Sequence, residues 1–385
     1  MKILLIGEYS GLHNSLKDGL QLNGHTVTLL GTGDGFKRYP VDILIKSTFF
    51  EIPIFKFIAK IIDKIFKVSL NDIEIGIKTF FKIKKLKGFD IVQLVNENSF
   101  KTTPILEVKL IKIIKNNNKN IFLLSCGTDF KSIQYALNKN FRYSILTPYF
   151  NNKKLKNSYR HILKYNNKHF KNLHEYIYKN IKGVISSDLD YHIPLKEEIK
   201  YLGMIPNPIN LSKIKYNKLK IDGEIIIFHG INIKNSIKKG NNYFQKSMKI
   251  IKELHGNKIK YIEVKNLNYN DYVKSYDSCH IFLDQVYAYD QGYNALEAMA
   301  KGKVVFTGAE KEWLDHYNLI EDSIAINALP ETNYLVNKLT DLINNPEKIE
   351  SISVNARKFI ENHHDFKSIA SIYEDKWLKA LKNEK

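Results

Sequence analysis

Residues 2–31 run apolar strand, glycine turn, amphipathic helix, apolar strand, and few folds begin that way. KILLIG (2–7) is a continuous apolar run of the kind that a parallel sheet buries on both faces. After EYSG, the leucines Leu12, Leu16 and Leu20 recur at every fourth position and mark one face of a helix. TVTLLG (26–31) is the next strand. Two parallel strands need a crossover, and a short helix supplies it, so the sequence predicts a βαβ unit and a doubly wound α/β fold.

The alternation continues through predicted strands at 90–95, 120–125 and 183–187, with a helix at 104–114. A second series opens at GEIIIFHG (223–230) and continues through strands near 258–264, 280–285, 304–308 and 323–327. Helices are expected between them near 242–255, 269–277 and 293–301. Between the two series, GMIPNPIN (203–210) carries two prolines and turn-forming asparagines and reads as a linker. The expectation is two Rossmann-like domains facing across a cleft, 1–204 and 205–365. The C-terminal helix, 366–385, should pack back on the first.

The 385 residues hold 59 Lys plus Arg against 40 Asp plus Glu, a net charge of +19. That balance suits an anionic partner, although a Lys-, Asn- and Ile-rich composition also arises from codon usage. Two segments concentrate the charge. In 55–88, Lys56, Lys60, Lys64 and Lys67 form one stripe among Phe and Ile, the make-up of a helix lying on an anionic membrane surface. In 151–182, basic residues alternate with Tyr and His; for both segments a solvated face over a core stripe is the alternative. No nucleic-acid motif accompanies the charge, so nucleic acid is not an expected partner. Cys126 and Cys279 are too few for a disulfide framework or a cysteine-based zinc site. No apolar run approaches the ~20 residues needed to span a bilayer. The expected location is cytoplasmic, peripheral at the inner face of the membrane.

Two helix starts invite an anion. Gly11, Leu12 and His13 follow the first strand, and Gly292 precedes the helix that begins at Tyr293; backbone N–H groups there favour a phosphate. Glu297 lies one turn inside the second helix. At that depth a carboxylate can accept two hydroxyl hydrogen bonds from a vicinal diol such as a ribose, or simply stabilise the first turn.

The segment DQVYAYDQGYNALEAMAKGKVVFTG (284–308) resembles the C-terminal signature of the GT-B glycosyltransferases, specifically the retaining glycosyltransferase family 4, which carries E-x7-E within ExFGxxxxEAMAxGxPV. Gly292, Glu297-Ala298-Met299-Ala300 and Gly302 match. The resemblance implies that Glu297 binds the donor ribose and that the N–H groups of Tyr293, Asn294 and Ala295 hold the diphosphate. Eight positions before Glu297 stands Tyr289, not Glu, so Asp290 substitutes toward the transferred sugar or sugar recognition differs. FHGINIKNSIKKG (228–240) stands in place of the family's GR…KG phosphate clamp: Lys239-Gly240 fits, the Arg is missing, and Lys234 is the substitute. The base would be read by backbone groups around Asn266 and Leu267. In the first domain, SCGTDF (125–130) has Cys126 where relatives carry His. Asp129 beside it is a candidate to bind or deprotonate the acceptor, or a helix cap.

The resemblance implies a sugar transferase that takes a nucleotide diphosphate sugar as donor, with retention and without metal or other cofactor. The acceptor would be a glycan or lipid-linked hydroxyl in the synthesis of lipopolysaccharide, capsule or lipid-linked oligosaccharide. A GT-B nucleotide-sugar epimerase, or a non-catalytic protein that binds sugar nucleotides or polyanions, is the alternative.

Overall fold

The computed structural model describes residues 1–66 and 68–382; Lys67 and 383–385 lie outside the described residues. Among these, the strands form two wholly parallel sheets. The first holds β1 (Lys2–Ile6), β2 (Thr26–Gly31), β3 (Ile43–Leu44), β4 (Ile91–Leu94), β5 (Ile121–Ser125), β6 (Gly183–Ser186) and β7 (Tyr201–Met204) in the order β3-β2-β1-β4-β5-β6-β7. The second holds β8 (Ile225–Ile231), β9 (Ile259–Lys265), β10 (Ile281–Leu283), β11 (Val304–Thr307) and β12 (Ile326–Asn327) in the order β12-β11-β10-β8-β9. The order in which successive strands join the sheet reverses beside β1 in one sheet and beside β8 in the other. In such sheets ligands bind outside the carboxyl ends of the strands at these reversals. Those ends carry Glu8, Lys239 and Asp284 into a cleft between the sheets.

The strands are apolar because helices cover both faces: Ile3, Leu4, Leu5 and Ile6 are fully buried, as are Ile281, Phe282 and Leu283. Two strands lie where the sequence showed none. β3 is too short to carry a periodic signal, and β7 extends to Met204, inside the stretch read as linker. The N–H of Ile205 still donates to Ser186 O (2.9 Å), so the crossing to the second sheet starts after it.

The chain crosses between the sheets twice, and the crossings touch. The N–H of Ile209 donates to His364 O (2.7 Å), and the N–H of Phe366 donates back to Ile209 O (3.2 Å). Beyond this bridge the helix Phe366–Lys382 lies on the first domain against the helix Leu12–Leu22. Gly19 permits the approach: a Cβ there would stand 2.3 Å from Phe366 O. Trp377 is buried in the first domain's core, and its Nε1 donates to Gln93 Oε1 (3.0 Å).

The basic segments part company. In 151–182 the helix Lys168–Asn180 buries Phe170, Leu173, His174 and Ile177, and Tyr159 and Tyr165 are also in the core. The aromatics here lie in a core stripe beneath the basic residues. The helix Pro53–Phe66 buries only Ala59. Ile54, Phe57 and Phe66 are 72%, 67% and 68% exposed, beside Ile77 and Phe81 of the next helix, Leu70–Ile83. Among the described residues no helix is long and apolar enough to cross a membrane.

Candidate active site

The helix Tyr293–Ala300 begins in the cleft without a side-chain cap, which leaves its positive end open. Glu297 faces the same space. Its Oε1 accepts from the Tyr269 hydroxyl (2.8 Å), and burial raises its pKa while the positive charge of Lys37 opposes the rise. Tyr293 itself is spent on structure: its hydroxyl donates to Pro208 O (2.8 Å) and lies 2.9 Å from Ser15 Oγ of the first domain.

Lys239 ends a short helix, Ser236–Lys239, at Gly240. Gly240 has φ +68°, and a Cβ there would lie 2.2 Å from Val286 Cγ2, so the position admits only glycine. The close approach aligns Lys239 with the end of β10, where its Nζ pairs with Asp284 Oδ1 at 2.6 Å. Lys234 lies exposed on the preceding turn, Ile233–Asn235. Asn266, at φ +50°, donates its N–H to Ile231 O (3.0 Å) and accepts from the Ile233 N–H (3.1 Å). It thereby fixes the backbone of Asn266 and Leu267 beside that turn.

Tyr289 and Asp290 line the seam with the first domain. The Tyr289 hydroxyl accepts from the Arg142 N–H (2.9 Å), and the Arg142 guanidinium reaches Glu310 (2.5 Å) and Glu312 (2.7 Å). Asp290 is buried, and its oxygens accept from the N–H groups of Gln291 (2.6 Å) and Leu189 (3.2 Å). Burial pushes its pKa up to about 6 and that of Asp190 to about 7, the charge of Asp290 adding to the latter. A cavity of about 210 Å³ opens here, lined by Thr128, Asp188, Asp290, Gln291 and Gly292 among others.

Two of the candidates are bonded within the chain itself. Asp129 caps the helix Phe130–Leu137: it accepts from the Ser132 N–H (2.7 Å) and from the Ser125 hydroxyl, and it is buried. Both its oxygens are thereby engaged in the cap, one of the two roles that the sequence offered. The turn at Gly11, Leu12 and His13 is not an open anion site, because the chain's own Glu8 carboxyl fills it, its pKa raised by burial to about 7. Its carboxylate accepts from the N–H groups of Gly11 (2.8 Å) and Asn14 (2.9 Å), while His13 turns its Nδ1 to Gly7 O (2.7 Å).

Sequence reasoning missed Lys37, whose Nζ lies 3.3 Å from Asn294 Oδ1 across the cleft. A lone lysine in GDGFKRYP carries no signal of this; only its glycine- and aromatic-bounded loop sets it apart.

Residues 242–375 match the model of a glycosyl transferase-like family. By sequence, no curated protein matches the chain. Among solved structures, sucrose-phosphate synthase from Thermosynechococcus elongatus is similar over 100% of both chains, at 12% identity and a TM-score of 0.60. HepE from Anabaena, solved with UDP-glucose, is similar over 100% of both chains at 12% identity and a TM-score of 0.58. UDP-GlcNAc 2-epimerase from Neisseria meningitidis, bound to UDP-GlcNAc, is similar over 98% of this chain and 100% of its own, at 14% identity and a TM-score of 0.52. At such identities the likeness is one of fold. Residues 242–375 thus carry the likeness to a glycosyl transferase-like family, and the whole chain shares the two-domain GT-B fold of these structures.

Proposed function

We propose that the enzyme moves a sugar from a nucleotide diphosphate sugar to an acceptor hydroxyl, with retention and without a metal. One observation carries this reading: Glu297 stands one turn inside an uncapped helix start that shares its cleft with Lys239. The helix N–H groups of Tyr293, Asn294 and Ala295 suit a diphosphate, and Glu297 at that depth suits the two hydroxyls of the adjoining ribose. The backbone at Asn266 and Leu267 borders the place left for the base.

Charge on the diphosphate grows as the sugar leaves. Lys239, held in the cleft by Asp284, meets that growing charge and stabilises the transition state more than the ground state. The sugar would occupy the cavity beside Gly292 and Gln291, with Tyr289 and Asp290 shaping its wall. An acceptor hydroxyl entering from the first-domain side would meet the sugar on the face that the diphosphate leaves.

The acceptor we propose is a lipid-linked or cell-surface glycan precursor, and the enzyme would work at an anionic membrane surface. The exposed Ile54, Phe57 and Phe66 support that reading, set as they are among the lysines of 55–88. Incubation with UDP-, GDP- and ADP-sugars, with and without glycan acceptors, tests the activity. Release of nucleoside diphosphate that requires acceptor is the expected result. Interconversion of the sugar nucleotide without acceptor would make it an epimerase instead.

A further inference from the structure

The cleft contains a lysine, Lys37, on which the carboxylates of Glu297 and Asp34 act only from beyond ion-pair distance. Lys37 belongs to the loop after β2, which is tied to the end of β1 where the Ser10 N–H donates to Asp34 Oδ2 (2.8 Å). From there the half-buried Lys37 reaches the second domain. Its Nζ lies 3.2 Å from Ser10 Oγ and 3.3 Å from Asn294 Oδ1, both neutral acceptors at long range. It forms no ion pair among the described residues. The rings of Tyr269 and Tyr39 stand 5.4 and 5.9 Å away and shield it from water.

Removing a charge from water is costly unless an opposite charge compensates. Burial pulls the Lys37 pKa down, Glu297 and Asp34 hold it up, and Lys239 lowers it again. Lys37 and Lys239 therefore feel one another, and Asn294 belongs to the first turn of the uncapped helix. An anion at that helix start would stand within reach of Lys37 and of the helix's positive end, with Lys239 near enough for its charge to act on Lys37.

We propose that Lys37 is the second cation on the donor's diphosphate, supplied across the cleft by the first domain in place of the arginine missing from 228–240. The assignment rests on the donor-site reading above. It relieves Lys234 of that role, and it makes the diphosphate a bridge between the two domains.

Calorimetric titration of wild type, Lys37→Gln and Lys37→Arg with UDP, GDP and ADP, and with the matching nucleosides, tests it. For whichever diphosphate the wild type binds, Lys37→Gln should bind at least tenfold more weakly. Affinity for the nucleoside should stay unchanged, and Lys37→Arg should recover most of the loss. Equal diphosphate affinity in wild type and Lys37→Gln overturns the assignment and leaves the donor site standing. So does a parallel fall in nucleoside affinity, which would indict the loop rather than the charge. A wild type that binds none of the three diphosphates overturns the donor site, and Lys37 with it.

Discussion

Asp190 and Asp290 cap each other's backbone across the cleft. Asp190 accepts from the N–H of Tyr289 (3.2 Å), the residue before Asp290, and Asp290 accepts from the N–H of Leu189 (3.2 Å), the residue before Asp190. Each domain thus holds the other's backbone through a carboxylate that burial pushes toward the neutral form, the charge of Asp290 adding to the effect on Asp190.

If Asp290 acts through these bonds, Asp290→Asn keeps an acceptor and should retain turnover within a few-fold. Asp290→Ala leaves buried N–H groups unsatisfied and should cost about 1–3 kcal/mol of stability. Melting temperatures and kcat for the two variants check it. A loss of turnover of a hundredfold in Asp290→Asn would place its charge against the sugar instead.

Glu297→Ala should weaken binding of the nucleoside diphosphate by about 1.5–3 kcal/mol, the worth of hydrogen bonds to a charged group. Competition between the nucleoside and its 2′,3′-dideoxy form reads the same contact from the ligand's side. The wild type should distinguish them and the variant should not.

Lys239→Ala should reduce kcat more than donor affinity, because its partner charge is largest in the transition state. It also leaves Asp284, only 3% exposed, without its cation, so the melting temperature should fall as well. Steady-state kinetics set beside donor titration separates the two effects.

Wild type should co-sediment with vesicles of anionic lipid and less so as salt rises, since exposed charges are screened over about 10 Å at 0.1 M. Each lysine at the surface contributes about 1 kcal/mol. Phe57→Glu with Phe66→Glu should abolish even the salt-resistant fraction, while donor turnover on a soluble acceptor is unchanged. Indifference of the wild type to anionic vesicles at low salt would return the charge to composition.

His229 on β8 predicts a pH effect on stability. Its Nδ1 meets the Tyr261 hydroxyl (2.9 Å) and its Nε2 meets Asn241 Nδ2 (2.8 Å), and burial lowers its pKa to about 4 against the opposing charge of Glu263. A group depressed in the folded state contributes fully above its unfolded pKa of about 6.5, and the contribution is lost as pH falls toward 4. The stability gap between wild type and His229→Gln, from urea melts, should therefore narrow between about pH 7 and about pH 4.5. A constant gap would mean that His229 does not titrate there.

Local periodicity made the two sheets legible, because buried parallel strands and their crossover helices each occupy a contiguous run. The helix carrying Glu297 was legible for the same reason, since Gly292 and its apolar positions adjoin. What stayed hidden depends on residues far apart in the chain. Lys37 and Asn294 are 257 positions apart, and no pattern in either neighbourhood announces the other. Glu8 misled in another way: a turn whose N–H groups are filled by a carboxylate three residues upstream has the same sequence as one left open. Asp129 offered two roles, and only the position of Ser125 and Ser132 around it decides for the cap.

The bridge between Ile209 and Asp365 has a mechanical consequence. A single connecting strand would let the two halves swivel freely about its bonds. Two strands laid side by side and bonded to each other behave like a flat strap, which bends easily across its width and resists torsion. A hinge motion of the two halves would thereby be confined to one sense of rotation and would return Lys37 and Asn294 to the same register.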